Sequence, residues 1–419
     1  MTPWMIFKFL AGRREAILSI ASTRWSLLVG AILVLSGSLA RNYDGLWIPE
    51  EWPGLLHGII VSTANAFILF AFVWVGCGGR MGRFPFFRGY LAFLGLFWMT
   101  APMAWVYGIP YERFLSPLDA LHANMWSLAA VSIWRVVLIT RVLAVIFGVK
   151  MRRTFWFVMF FSDALLLTAL HFAPVPVIDF MGGMQQSPQE RELASTAFLA
   201  GLVGSVTLLV WFVGALWATS GPPVSWIPIS PPKPDRPPLG AISLAITAVL
   251  AWAAAAIFVA QPEQRLRFEA ERLLRAGEID AALAKMSEHA RADYPPMWDP
   301  PPRPAWRINT PSVEALRLTL VNRRYAGWVE TLCWEKCWHD LAVARFAWTP
   351  LESWSAYIKP EWPGPEWLVS AQLHADHDPR LTDEQRGYLR AAIEAGKVPS
   401  PRQEPPAQVP GGTQAPPLY

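Results

Sequence analysis

The sequence predicts an all-α fold, in which about seven transmembrane helices are followed by a C-terminal soluble helical domain. Of the 419 residues, 53% are hydrophobic and only 16% are charged, whereas ordinary soluble domains average roughly 45–50% and 25%. The apolar residues are concentrated in runs of roughly 17–25 residues, the length that crosses a bilayer as a helix. A soluble core can contain one or two such runs, so a series of seven predicts a multi-pass membrane protein. The runs are 25–40, 54–76, 89–108, 123–148, 154–174, 195–217 and 240–260.

The segment before the first run is basic and amphipathic. Small residues at 38–40 allow the first run to be a cleaved signal peptide, but residues 1–24 are long for the basic region of such a peptide. We therefore expect an uncleaved anchor. Residues 1–24 would then form a cytoplasmic amphipathic segment that lies on the membrane surface.

Composition sets the remaining domain boundaries. Residues 25–217 are expected to form a six-helix transmembrane unit. Residues 218–239 contain eight prolines and predict an extended cytoplasmic linker, which leads to the seventh transmembrane helix at 240–260. Residues 261–396 predict an extracytoplasmic helical domain, and the proline-rich tail at 397–419 has the composition of a disordered segment.

The distribution of basic residues predicts the orientation. If the N-terminus is cytoplasmic, the inner segments carry twelve Lys and Arg residues and the outer loops carry three, as the positive-inside rule requires. The domain at 261–396 then lies outside the cytoplasm of a bacterial inner (plasma) membrane. The twelve are Lys8, Arg13, Arg14, Arg24, Arg80, Arg83, Arg88, Lys150, Arg152, Arg153, Lys233 and Arg236, and the three are Arg41, Arg113 and Arg191.

The same distribution accounts for the net charge of +4. Because the excess of basic residues belongs to the inner loops and forms no patch on a soluble face, it does not indicate a nucleic-acid partner. The partners that we expect are the lipid bilayer and a protein bound by the extracytoplasmic domain.

Two charges fall near the centres of adjacent apolar runs. Arg135 lies in the run 123–148 and Asp163 in the run 154–174, and a short loop makes these two helices antiparallel neighbours. An unpaired charge at this depth is expensive, so we expect the two side chains to pair. The pair could form a relay for protons or substrate, or it could be a structural ion pair. Arg141, nearer the inner end, could extend to the interface or join Asp163.

Three histidines are expected at the outer interface, at the ends of different helices. They are His57, His122 and His171. Haem, copper or zinc could bind such residues, but no two of them lie four residues apart on one helix. The simpler interpretation is that the three histidines are ordinary amphipathic residues at the membrane interface.

Cys333 and Cys337 lie in the expected outer domain, where a disulfide is permitted. Their spacing is one helical turn, so a bridge would close only a small loop and would stabilise little. Two reduced cysteines are an equal alternative.

The beginning of the outer domain predicts a helical hairpin. Apolar positions repeat with helical spacing on both sides of Gly277 within residues 263–290. Gly277 is well placed to end the first helix of the pair.

The sequence supports three functions of different classes. It contains no phosphate-binding glycine loop, zinc-protease motif or nucleophile elbow, so it gives no catalytic residue, metal site or cofactor to propose. This favours a non-enzymatic subunit or scaffold that presents residues 261–396 to a partner. The alternatives are a transporter or permease component that uses Arg135 and Asp163, and a membrane redox or lipid-modifying enzyme that uses the outer histidines.

Overall fold

The computed structural model describes residues 1–77, 86–172, 188–221, 236–296, 298, 325–329, 332–333 and 383, and all regular structure in these residues is helical. The all-α prediction is therefore confirmed for this part of the chain. In order, its α-helices are α1 (Pro3–Leu10), α2 (Arg14–Ala21), α3 (Ser26–Asn42), α4 (Ile48–Glu51), α5 (Pro53–Gly76), α6 (Phe86–Trp98), α7 (Pro117–Phe147), α8 (Met151–Phe172), α9 (Pro188–Thr219), α10 (Leu239–Ala255), α11 (Gln261–Arg275) and α12 (Ile279–Ser287).

Six helical segments among the described residues are long and apolar enough to cross a membrane. The expected number was about seven, and the difference arises at the first run. There α3 has only 17 residues, and it joins α2 at an angle of 108°. The count reaches seven only if this bent pair is one span. The six are Pro53–Gly76, Phe86–Arg113, Pro117–Phe147, Met151–His171, Ser195–Thr219 and Leu239–Phe258.

The boundaries of α7 are set by its terminal residues. Ser116 caps the helix, because its hydroxyl accepts a hydrogen bond from the Asp119 amide at 3.3 Å. Pro117 suits the first position, where no amide donor is needed. At the other end Gly148 has φ +61°, and Val149 N donates to Ala144 O at 3.0 Å, which closes the helix in a Schellman motif. The helix therefore begins at Pro117 and not at residue 123.

The N-terminal segment forms two helices, α1 and α2. Gly12 has φ +70°, and Arg13 N donates to Lys8 O at 3.1 Å, so a Schellman motif ends α1. The apolar side chains of α1 and α2 enter the main hydrophobic core instead of lying on a surface as expected. The most buried are Ile6, Phe9, Ile17 and Ile20.

The third apolar run changes its helical geometry part of the way along. The α-helix ends at Trp98, and the chain continues as a 3₁₀ segment from Ala101 to Gly108. Pro102 lies in the first turn of that segment, where its ring cannot extend the preceding α-helix. The 3₁₀ segment packs against both α3 and α7.

The connections gather at two ends of the helical bundle. At the first, which we name the Lys150 end, Arg153 Nε donates to Ala218 O at 2.7 Å. At the second, the Gln261 end, Ile48 N donates to Gln261 Oε1 at 2.9 Å. Successive apolar helices therefore run alternately between the same two ends, and α3 conforms to this alternation despite its length.

The last apolar helix continues into the polar helix α11 without a loop. A π-helical turn at Ala256–Ala260 connects α10 to α11. Contacts divide the chain into two compact units, the first Met1–Phe268 with Ala292–Trp298, and the second Glu269–Arg291 with the residues after Trp298. The division falls inside α11, whereas the sequence placed it at residue 261.

The predicted hairpin is present at the start of the second unit. Gly277 has φ +79°, and Glu278 N donates to Leu273 O at 3.0 Å, so α11 ends as expected. Lys285 Nζ lies 3.6 Å from Glu269 Oε2 across the two helices. The predictions for residues 297, 299–324 and 334–382, and for the tail 397–419, lie outside the described residues.

Candidate functional site

Arg135 lies beside an aromatic ring and not beside a carboxylate. The centre of its guanidinium is 4.7 Å from the centroid of the Phe97 ring. The Tyr107 hydroxyl and the Arg41 side chain are close enough to interact with it electrostatically. The face of α7 that carries Arg135 is thus turned toward α6 and the 3₁₀ segment.

Asp163 is bonded to a different helix. Its Oδ2 accepts a hydrogen bond from Thr207 Oγ1, on α9, at 2.5 Å. No ion pair joins Asp163 to Arg135 among the residues that the structure describes, so the expected pair is not formed. Both residues lie about 20 Å along their helices from the Gly148–Lys150 connection. Their depths therefore match as expected, but their helix faces do not.

Arg141 does not join Asp163 either. Its side-chain stem packs against Gly12, at the bend between α1 and α2. About two turns earlier on α7, Trp134 Nε1 donates to Leu10 O at 3.0 Å. These two residues of α7 hold the end of α1 in place, so within the described residues Arg141 has a packing role.

The contact between α8 and α9 uses residues that the sequence analysis did not single out. Gly204 is packed against Leu167, and Gly214 lies directly under the Trp156 ring. Thr207 lies between these glycines on the same helix. Small residues at such spacings let two apolar helices approach closely. This spacing, visible in the sequence, was the signal that could have assigned Asp163 to α9.

The three histidines do not form a site in the described residues. His122 Nε2 lies 3.5 Å from Glu192 Oε1, and both side chains are more than two-fifths exposed. His57 is exposed near the start of α5, and His171 is exposed at the end of α8. No group of three His, Cys, Asp or Glu side chains in the described residues is placed to hold a metal ion.

The cysteines give no redox site that can be described. Cys333 is buried, with 1% of its surface exposed. Its possible partner Cys337 lies outside the described residues, so the disulfide stays a prediction. Cys77, at the end of α5, is buried near Arg153, and burial raises the pKa of its thiol to about 11.

A polar cluster fastens the beginning of α11 to the loop after α3. Gln261 Nε2 donates to Leu46 O at 2.8 Å, and its Oε1 accepts from Ile48 N. Gln264, which is 1% exposed, donates to Asp44 O. We name Gln261, Glu263, Gln264 and Arg267, together with their partners, the α11 clamp.

Two ion pairs complete the α11 clamp. Arg113 makes two hydrogen bonds to the Glu263 carboxylate, at 3.0 and 2.9 Å. Such two-pronged arginine–carboxylate contacts fix orientation as well as distance. In the second pair, Arg267 Nη2 lies 2.5 Å from Glu51 Oε2. The clamp therefore fixes where the chain leaves the apolar bundle.

A titratable group lies beside the clamp. Burial raises the pKa of Asp44 to about 6, and repulsion from the nearby Glu112 carboxylate contributes to this rise. The neighbouring Tyr43 is 5% exposed, and burial also raises the pKa of its hydroxyl. Two carboxylates and a buried phenol thus meet at this end of the described bundle.

Comparison with protein-family models, curated proteins and solved structures finds no match to this chain. Its function is therefore argued from its own geometry.

Proposed function

We propose that this protein is a multi-pass subunit of a bacterial inner-membrane complex, which anchors its C-terminal unit and presents it to a protein partner outside the cytoplasm. The observation that carries the proposal is the α11 clamp. The chain leaves the last apolar helix through a helical turn and not a loop. Two buried glutamines and two ion pairs then fix its position. A clamp of this kind suits a protein that displays its C-terminal unit to a partner.

Membrane insertion accounts for the apolar surface of the bundle. Leu209 is 67% exposed and Phe258 is 82% exposed. Similar exposed apolar side chains cover much of α9 and the face of α5 that is turned away from the rest of the bundle. Soluble monomers rarely expose apolar patches larger than a few hundred Å². Six such helices in series favour lipid as the solvent for this surface.

The charges at the two ends support the proposed orientation. The Lys150 end carries a cluster of basic residues, whereas the Gln261 end carries the acidic residues Asp44, Glu50, Glu51 and Glu112. By the positive-inside rule, the Lys150 end is cytoplasmic. The clamp and the C-terminal unit then belong to the outer side.

The two alternative functions have less support. The transporter hypothesis depended on an Arg135–Asp163 pair, and the two residues have separate partners. The redox hypothesis needed a site made from the outer histidines, and the described residues supply no such group. A scaffold requires neither arrangement.

Site-specific photo-crosslinking tests the proposal. A photoreactive amino acid replaces Ala281, which is exposed on α12, in the full-length protein expressed in its own host. The matched control replaces Lys150, which is exposed at the opposite end of the bundle. We expect one discrete crosslinked protein from position 281, and the same protein should co-purify in stoichiometric amount in mild detergent.

Two results would contradict the proposal. The first is a chain that purifies alone and forms no crosslink at position 281. The second is a crosslinked partner obtained only at position 150, which would place the interaction at the cytoplasmic end.

A further inference from the structure

Arg152 lies over the ring of Trp217 at the place where α8 begins and α9 ends. The centre of its guanidinium is 4.7 Å from the centroid of the indole ring. Arg153, the next residue, donates from Nε to Ala218 O at 2.7 Å, and this bond fastens the first turn of α8 to the last turn of α9. Two neighbouring contacts between the same two helices therefore hold the Arg152 guanidinium on the indole ring.

The guanidinium of Arg152 has no anionic partner in the part of the chain that the structure describes. Arg152 is exposed, and within these residues the indole ring is the one group it contacts closely. The ring accepts no conventional hydrogen bond, so the guanidinium N–H groups are open to a ligand. Lys150, exposed two residues earlier, adds a second positive charge, and the amide groups of the first turn of α8 favour an anion at the same end.

An exposed apolar stripe runs along α9 from Trp217 toward the opposite end of the helix. Its members are spaced by three or four positions, so they lie on one face. They are Val203 at 58%, Val206 at 63%, Val210 at 52%, Val213 at 58% and Trp217 at 55% exposure. The stripe is about 21 Å long at the helical rise, and one leaflet contributes about 15 Å of hydrocarbon. It is therefore long enough to carry an acyl chain.

The order of these groups along α9 matches the order of groups in a membrane lipid. The positive charge of Arg152 lies at the Lys150 end of the bundle. The indole ring of Trp217 follows, at the interfacial level where tryptophan is enriched in membrane proteins. The apolar stripe then continues into the depth of the bundle. A phosphate and its acyl chain can therefore be bound together while the lipid keeps its usual direction in the bilayer.

We propose that Arg152 binds the phosphate group of an anionic phospholipid of the cytoplasmic leaflet, whose acyl chain lies along the stripe from Trp217 to Val203. Arginine pairs phosphate oxygens with two parallel N–H donors. The indole ring holds the guanidinium in place, so less freedom is lost when the phosphate binds. The stripe favours a phosphate that carries hydrocarbon over a free one. The proposal rests on the membrane location and orientation proposed above, but not on the protein partner.

Arg24 offers a comparison at the same end of the bundle. It is exposed, and the centre of its guanidinium is 5.3 Å from the centroid of the Trp25 ring. The helix that follows it, α3, exposes only Leu28 among residues 26–40. Arg24 therefore has the charge and the ring of the Arg152 site, but it has no open stripe for an acyl chain.

Lipid binding to the purified full-length protein tests the assignment. Native mass spectrometry in mild detergent measures the binding of dioleoylphosphatidylglycerol, with dioleoylphosphatidylcholine as the zwitterionic comparison and glycerol 3-phosphate as the soluble headgroup. We expect phosphatidylglycerol to bind saturably and more tightly than either comparison. Arg152→Gln should weaken that binding about tenfold, the effect of one lost charge-assisted contact.

Arg24→Gln is the matched control, because it removes an equal charge from the same end of the bundle. It should retain wild-type binding. Trp217→Leu provides a second variant, since it keeps an apolar side chain and removes the ring under Arg152. It should weaken phosphatidylglycerol binding about two- to fivefold, the effect of losing an exposed cation–π contact.

Three results would overturn the assignment. The first is wild-type protein that binds phosphatidylglycerol no more tightly than phosphatidylcholine. The second is an Arg152→Gln variant that loses no more affinity than Arg24→Gln, which would indicate general surface charge. The third is glycerol 3-phosphate binding as tightly as the lipid, which would make the site one for a soluble anion. Failure to find a protein partner would leave all three measurements unchanged.

Discussion

At the scale of single residues, the carboxylate of Asp163 depends on one hydroxyl of the facing helix. Thr207→Val keeps the shape of the side chain and removes the donor to Asp163 Oδ2. We expect the variant to lose about 1 kcal/mol of stability, because interhelical hydrogen bonds in membranes contribute about that amount. Thermal unfolding in detergent measures the loss.

Thr168→Val is the matched control for this change. The Thr168 hydroxyl lies on α8 and donates to Ala164 O of its own helix. Its removal should leave the unfolding temperature nearly unchanged. Equal losses in the two variants would mean that the bond between Thr207 and Asp163 does not hold α8 and α9 together.

Asp44 makes stability depend on pH. Its pKa is raised to about 6 in the folded protein by burial and by Glu112, so the folded state holds a proton that the unfolded chain has released. Stability is therefore expected to fall as the pH rises from about 4 to about 6. Asp44→Asn should flatten this fall and stabilise the protein at pH 7 by about 1–2 kcal/mol, after allowance for partial exposure.

Unfolding temperatures between about pH 4 and pH 7.5 test this expectation. Glu50→Gln serves as the control, because Glu50 is an exposed carboxylate on the same connection. It should keep the wild-type dependence on pH. If Asp44→Asn also keeps that dependence, another group titrates in this range.

At the scale of helices, the approach of α9 to α8 depends on the absence of a side chain at Gly214. A Cβ there would clash with the Trp156 ring, so Gly214→Ala must push the helices apart or displace the ring. We expect a loss of about 1–3 kcal/mol, the usual cost of overpacking. A lower unfolding temperature in detergent is the measurement.

Gly201→Ala, on the same helix, isolates the steric effect. Its Cβ would lie 3.7 Å from Leu170, at an ordinary contact distance. Alanine also favours helix over glycine by roughly 1 kcal/mol, so this variant should be neutral or slightly stabilised. If both variants lose stability equally, the close approach at Gly214 is not what matters.

The helices also indicate how far sequence reasoning extends. Apolar runs and a rise of about 1.5 Å per residue were enough to predict the six long apolar helices and the common position of Arg135 and Asp163 along α7 and α8, because both depend only on position along the chain. The rotation of each helix about its own axis depends on which of its faces packs best against a neighbour. For α8, the face that carries Asp163 packs against the small residues of α9. The apolar pattern does not predict the 3₁₀ segment that carries Tyr107, because apolar residues continue across Pro102 and hide the change of helical geometry there.

At the scale of the whole molecule, the bundle has one basic and one acidic end. Because successive helices alternate in direction, the Lys150 connection and the start of α10 lie at the same end of the bundle. The loop after α3 lies at the other end, where the clamp bonds it to the start of α11. Orientation is thus a property of the entire bundle and not of any one loop. Whichever side holds Lys150, the Gln261 end must face the other.

Reporter fusions in a Gram-negative host test this topology. Alkaline phosphatase, which is active only outside the cytoplasm, is joined after Ala290, and green fluorescent protein, which fluoresces inside it, is joined after Ser220. Since the basic residues cluster at the Lys150 end, we expect high phosphatase activity at residue 290 and strong fluorescence at residue 220. Exchanging the two reporters provides the control and should silence both. Phosphatase activity at both positions would mean that the chain crosses the membrane an even number of times between them, so α10 would not be a span. Phosphatase activity at residue 220 but not at residue 290 would mean that the proposed orientation is inverted.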